Sequence, residues 1–388
     1  MDENFTRVVA APKITFDVER EYPALLRHLS SVDPGLATAV QGMRSELPVA
    51  VTHLPFDTGE IFRLPDHNRA IYVRRGDRGL IAIKGSEIHC QDTELAATVA
   101  LAGSSAHNSQ FEHLCMMEHK IPGVLLHDEA FGEAHAAGRF QTHYLERFGD
   151  LARFPVPLLI VEWPSELGDA WLAKIRPFLS ERSAKIARSL ARDGLVAYVY
   201  YYPGTRMDRV IGLDTAEFAS EELHHGYAWR KSAMGSAIDF RAAIDGWFGL
   251  VARMLALGYL PVTISHKYIG QTVRLQNCVL DGGLVDADAT QPMSAITDAA
   301  QFEDSFWLMI HELTRTTRRL MFGPMTEYNE HHTDPVRSMI VDEIRRRLAE
   351  PELARNLDPR LTEILEPRPL YERLDRFGEV HVPPRLGD

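Results

Sequence analysis

Two side chains nine positions apart, Asn277 and Asp286, carry the chemistry this chain declares most openly. They lie in residues 275–290, which read L-Q-N-C-V-L-D-G-G-L-V-D-A-D-A-T. Two short apolar runs, 278–280 and 284–285, are joined by Asp281-Gly282-Gly283, and that pattern predicts a small β-hairpin. Such a hairpin sets an amide oxygen and a carboxylate at neighbouring strand ends. One charged and one neutral oxygen donor suit Mg²⁺, which keeps several waters and takes its remaining ligands from substrate phosphates. Asp288, two residues on, offers a second carboxylate on the same side of an extended chain.

An Asn, a hairpin and then an acidic metal ligand resemble the catalytic loop and the Asp-Phe-Gly segment of protein-kinase-like folds. The nine-residue step is similar to that of the selenoprotein-O-like protein adenylyltransferases, which have a kinase fold. Two positions depart from these patterns. Protein kinases place a catalytic-base Asp five residues before the Asn, where this chain has Thr272; the selenoprotein-O-like proteins place an Asp immediately before it, where this chain has Gln276. An amide such as Gln276 cannot take a proton as a general base.

The resemblance implies further residues upstream. Residues 69–85, R-A-I-Y-V-R-R-G-D-R-G-L-I-A-I-K-G, predict a hairpin whose second strand ends at Lys84. That strand resembles the V-A-I-K strand whose Lys binds nucleotide phosphates, and Lys84-Gly85 is similar to the Lys-Gly of the selenoprotein-O-like strand. A kinase-like site also needs a helical Glu to orient the Lys. Residues 110–119, Q-F-E-H-L-C-M-M-E-H, supply Glu112 and Glu118 as candidates, with Glu112 preferred, and Ile121-Pro122-Gly123 follows much as in that family. Pro157 fits the first residue of a strand and the apolar run 158–161 predicts that it is buried, after which Glu162 and Trp163 stand where the resemblance puts the adenine-binding hinge. Arg206 and Arg209, past the β-prone run L-V-A-Y-V-Y-Y-Y, are the candidates for the two phosphate-holding Arg residues that the selenoprotein-O-like resemblance implies, although their spacing differs from that of the family.

The elements expected to carry these residues follow from periodicity and punctuation. Helices are predicted over 17–27, 34–46, 166–192, 238–257, 300–321, 335–348 and 359–365, with strands over 157–161 and 195–202. The expected fold is α+β and bilobal, protein-kinase-like, in three parts: an N-terminal helical extension (1–65), a β-rich lobe (66–164) and a mainly helical lobe (165–388). Composition agrees with a globular chain of 388 residues and excludes other classes. A net charge of −12 argues against a general nucleic-acid partner, no apolar run is long enough to span a membrane, and three scattered Cys residues point to a reducing, cytoplasmic setting. There is no G-x-x-x-x-G-K-[ST] and no G-x-S-x-G segment.

The expectation is therefore an ATP- and Mg²⁺-dependent transferase passing an adenylyl or phosphoryl group to a protein or small-molecule acceptor. Lys84 oriented by Glu112 would hold phosphates, and Asn277 with Asp286 would hold the metal. The alternatives are an inactive pseudokinase that binds nucleotide or a partner, favoured by Gln276 and Thr272, and a metal enzyme using the His-rich segments near His224-His225 and His331-His332.

Overall fold

The structure, a computed structural model, describes residues 13–46, 61–62, 70–74, 79–85, 125–162, 195–204, 239–264, 269–274, 277–322 and 335–366. The fold is α+β, and the chain divides into two compact units: Met1–Gly138 with Pro155–Thr205, and Arg139–Phe154 with Arg206–Asp388.

The first unit is built on an antiparallel sheet. Its elements are β1 (Lys13–Asp17), α1 (Val18–Glu21), α2 (Pro23–Val32), α3 (Pro34–Glu46), β2 (Ile61–Phe62), β3 (Ala70–Arg74), β4 (Leu80–Lys84), β5 (Leu125–Leu126), the first half of α4 (His127–Phe148), β6 (Val156–Glu162) and β7 (Leu195–Tyr202). The strand order is β1-β6-β7-β4-β3-β2, with β5 also on β7. The apolar runs of β4, β6 and β7 are buried on both faces, which is why they read as unbroken hydrophobic stretches and not as alternation. Pro157 sits inside a central strand because the β6–β7 register slips between Pro157 and Leu159, a bulge that spares the missing N–H. The β3–β4 hairpin expected over 69–85 is present, with Ala70 opposite Lys84.

Two boundaries differ from expectation. Residues before 65 are not a purely helical extension: β1 pairs with β6, β2 pairs with β3, and the helix expected from 17 starts as the short α1, its N-cap Asp17 accepting from the Glu19 N–H at 2.9 Å. Pro23 then opens α2 at its first position, where a missing N–H costs nothing. The sheet unit also runs past 164 to Thr205, because β7 lies between β4 and β6 and cannot belong to another lobe. The helices expected over 110–119 and 166–192 fall outside the described residues.

The longest departure is α4, for which no helix was expected. Ala130, Ala134, Ala137, Phe140 and Tyr144 recur on one buried face, Asp128 and Glu129 open the first turn, and Gly149 ends the helix at φ +74°. Buried Gln141 ties down the turn that follows: its Nε2 donates to the Ala152 and Phe154 carbonyls at 3.0 and 2.7 Å, and its Oε1 accepts from the Ala152 N–H at 3.0 Å.

The second unit is mainly helical: α5 (Phe240–Ala256), β8 (Tyr259–Leu260), β9 (Val262–Ile264), β10 (Ile269–Gln271), β11 (Gln291–Pro292), α6 (Ala299–Phe322), α7 (Pro335–Leu348) and α8 (Pro359–Leu365). Asp239 caps α5 by accepting from Ala242 N–H at 3.0 Å, and α5 buries Phe240, Trp247, Val251 and Leu255 as its periodicity requires. An ionic cluster joins α7 to α5. Arg347 reaches Asp245 and Glu343, and Glu343 also takes Arg346 at 2.7 Å. Hydrogen bonds from Arg346, then from Arg347, hold the Glu343 carboxyl well below the usual range, at about 2. A carboxylate depressed in this way stabilises the fold above its ordinary pKa of 4.5, and that contribution is lost as pH falls from there towards 2. Glu343→Gln should therefore lower stability modestly at pH 7 and flatten the acid-unfolding curve between those limits, read by circular dichroism during acid titration. The effect stays modest because the cluster is solvated.

Candidate functional site

Lys84 ends β4 and is 5 % exposed. Gly85 follows at φ +77°, and a side chain there would run into the Val196 carbonyl of β7, so the strand has to end on this Lys-Gly step. The Lys84 ammonium donates to both oxygens of Glu133, at 2.7 and 2.9 Å. Glu133 lies on α4 and is 2 % exposed. The Tyr200 ring on β7 lies 5.8 Å from the ammonium, within cation–π range. The chain has seven lysines against thirty-five arginines, and among the described residues the cation sealed beside this sheet is a Lys, a compact point charge and not a planar fork.

Among the described residues, the carboxylate that takes the Lys84 ammonium is thus Glu133, from α4. Glu112 lies outside the described residues, as do Gln276, Arg206 and Arg209. Sequence reasoning passed over Glu133, although an alanine-rich stretch with i, i+3, i+4 spacing and acidic first-turn residues marks its helix. Glu162 is described and does not end a lobe: β6 lies between β1 and β7, and the Glu162 carboxylate meets Lys13 Nζ at 2.8 Å on the surface. The chain leaves the sheet unit after Tyr202-Pro203-Gly204, at Thr205.

In the second unit the β8–β11 ladder encloses, in sequence, two separate pairings: β9 with β10, and then a bridge between Cys278 and Leu284. The hairpin read from the D-G-G turn is therefore present. It is pressed against α5: a Cβ on Gly246 would stand 2.7 Å from Gly282 Cα, and Gly282 itself turns at φ +88°. Trp247 Nε1 donates to the Val279 carbonyl at 2.9 Å, and Leu284 N–H donates to the Arg153 carbonyl at 3.0 Å. Gly282→Ala combines an unfavourable φ with a backbone collision and should cost about 2–3 kcal/mol, read as a lower denaturation midpoint of this unit.

Asn277 sits at the base of that hairpin, 4 % exposed. Its Nδ2 donates to the Gln271 carbonyl at 3.2 Å, which fixes the amide and leaves Oδ1 as a neutral oxygen donor on its other side. Its own carbonyl accepts from Val285 N–H at 3.0 Å, so Asp286 lies one residue beyond the backbone partner of Asn277, and it remains partly exposed. An amide oxygen and a carboxylate are donor types that Mg²⁺ accepts where phosphate and water complete its shell. Among the described residues no group of three or more His, Cys, Asp or Glu side chains is placed to hold a metal, so a dedicated protein cage of the zinc kind finds no counterpart there; His224, His225, His331 and His332 fall outside them.

Thr272, five residues before Asn277, is fully buried, and its hydroxyl is 3.0 Å from that of Thr290. It holds the two ends of the loop together. Cys278 is fully buried as well, and burial pushes its thiol far above the ordinary range, so it is no nucleophile. Beyond the loop, Arg360 donates to the Ile296 and Met293 carbonyls at 2.6 and 3.0 Å and stacks 4.0 Å from the centre of the Phe302 ring, bracing the chain between the loop and α6. No helix among the described residues is long and apolar enough to cross a membrane. No protein-family profile, curated protein or solved structure matches the chain.

Proposed function

We propose that this chain is an ATP- and Mg²⁺-dependent transferase of protein-kinase-like fold that passes an adenylyl or phosphoryl group to a protein or small-molecule acceptor. The observation that carries the reading is the buried Lys84–Glu133 pair. A sealed ion pair contributes little net stability, because desolvating both charges offsets their attraction, so its retention asks for a use. Lys84 closes the third strand of the β2-β3-β4 meander and meets a Glu on the next long described helix, which is the arrangement that presents an ammonium to nucleotide phosphates in kinases.

In this reading Lys84 binds phosphate oxygens and Glu133 aims it. Asn277 and Asp286 would hold the divalent ion, which would supply positive charge to offset that of the phosphates. The backbone after β7, at Tyr202-Pro203-Gly204, replaces Glu162 as the adenine contact. For adenylyl transfer the acceptor attacks the α-phosphorus and pyrophosphate leaves; for phosphoryl transfer it attacks the γ-phosphorus and ADP leaves.

A second reading, a nucleotide-binding pseudoenzyme of the same fold, is favoured by the burial of Thr272, which removes a general base from the usual position. Incubation with α- or γ-labelled ATP separates the three cases. Label transferred from the α-position supports adenylylation, label from the γ-position supports phosphorylation, and nucleotide binding with neither transfer supports the pseudoenzyme. Absence of any binding at millimolar ATP and Mg²⁺ contradicts both readings.

A further inference from the structure

The segment before residue 23 has no part in the site just described, yet its side chains reach the back of the helix that carries Glu133. On α4, Phe131, His135 and Gly138 lie on the face opposite Glu133. Tyr22, set between α1 and α2 by its N–H bond to the Val18 carbonyl at 2.8 Å and by Pro23, packs onto that face. Its hydroxyl is 3.0 Å from His135 Nδ1 and donates to the His135 carbonyl at 3.3 Å. Its ring covers Gly138 so closely that a Cβ there would fall 2.6 Å from Tyr22 Cζ. Phe16 of β1 adds edge contacts to His135 and Phe131 at 5.4 and 6.4 Å between centroids.

The clamp is itself anchored. Phe16 is fully buried opposite Ile160 in the sheet, and Asp17 is bound by Arg44 of α3 at 2.7 Å. A Gly inside a helix is a poor choice by propensity, and here the slot it leaves is filled by a ring from a distant segment. The helix is therefore gripped between two groups fixed to one sheet: Lys84 in front, Tyr22 behind.

We infer that Tyr22 is a positioning residue: seated on Gly138, it presses α4 forward and holds the Glu133 carboxylate on the Lys84 ammonium, so that the N-terminal segment completes the phosphate-binding pair. Its functional weight rests on the nucleotide reading above, but the geometric claim does not.

The test is the ¹⁵Nζ–¹H signal of Lys84 in the full chain without nucleotide, assigned by its loss in Lys84→Met among only seven lysines. Wild type and Tyr22→Phe, which keeps the ring in its slot, should show a protected ammonium. Tyr22→Ala should lose that protection to solvent exchange and should weaken Mg²⁺-ATP binding about tenfold. Gly138→Ala, which displaces the ring and keeps a good helix former, should do the same if Tyr22→Ala does not fold. An unchanged Lys84 signal in whichever of these two variants folds would overturn the inference, since a merely structural contact would lower stability without touching the ammonium. A wild type that shows the protected signal but does not bind Mg²⁺-ATP removes the functional reading and leaves the positioning claim to be judged on the signal alone.

Discussion

Glu133→Gln lowers the stability of the chain by about 3–5 kcal/mol at pH 7, the cost of removing the charge of a carboxylate that takes two hydrogen bonds from a buried ammonium. The ceiling can be worked out independently. An ammonium that loses this carboxylate escapes by giving up its proton, and taking a Lys from its ordinary pKa near 10.4 to neutrality at pH 7 costs about 1.4 kcal/mol per unit, or roughly 4.6 kcal/mol. Lys84→Met removes the ammonium that Glu133 accepts from and has a similar effect. The double variant Lys84→Met/Glu133→Leu should behave differently. With both charges replaced by apolar groups of comparable volume, stability should return to within about 1 kcal/mol of wild type or exceed it. Nucleotide binding and transfer should be absent in the double variant all the same. Chemical denaturation and ATP titration on the same four proteins separate the two roles, and a double variant that is stable and still binds ATP would assign the pair to architecture alone.

Asp286→Asn is the second large effect. The substitution is nearly isosteric, removes one negative charge and leaves an oxygen at the same place. Transfer should fall by about a thousandfold or more, equivalent to the several kcal/mol that a correctly held divalent ion contributes to a phosphoryl-type transition state. The loss should be in the Mg²⁺-dependent part: affinity for ATP in the presence of EDTA should be unchanged, while the gain on adding Mg²⁺ should vanish. Asn277→Ala, which removes a neutral donor, should cost less. Equal loss of ATP affinity with and without Mg²⁺ in Asp286→Asn would place the carboxylate in a role other than metal binding.

How much of this could be read from the chain depends on the range of the interaction. The strands β4, β6 and β7 were legible because burial on both faces leaves unbroken runs such as L-L-I-V and V-A-Y-V-Y-Y-Y. The helices α5, α6, α7 and α8 were legible from periodicity, and the hairpin between Asn277 and Asp286 from its D-G-G turn. Lys84 was legible as a strand-end Lys, but its partner was not. Glu133 lies forty-nine residues on, in a helix whose pattern is interrupted by Gly132 and Gly138. Gly138 makes sense only beside the ring of Tyr22, and Gly246 only beside Gly282; both are contacts between distant segments, and no local propensity encodes them. Nor does local sequence say that β1 joins β6, which turns an apparently helical extension into part of the sheet, or that β7 lies between β4 and β6, which moves the limit of that unit to Thr205. Thr272 shows the same limit: its position suggested a lost base, and only its contact with Thr290 shows what it does instead.

The most direct test of the account is the melting temperature of the wild-type chain with ATP, with Mg²⁺ and with both. Binding to the folded state at a hundred times the dissociation constant adds about 2.7 kcal/mol, which for units of this size raises the midpoint by roughly 5 °C or more. The predicted result is a rise of that order with ATP and Mg²⁺ together, a much smaller one with ATP and EDTA, and none in Lys84→Met/Glu133→Leu. A midpoint that does not move for the wild type under any of these conditions would contradict the assignment of Lys84, Glu133, Asn277 and Asp286 to a nucleotide.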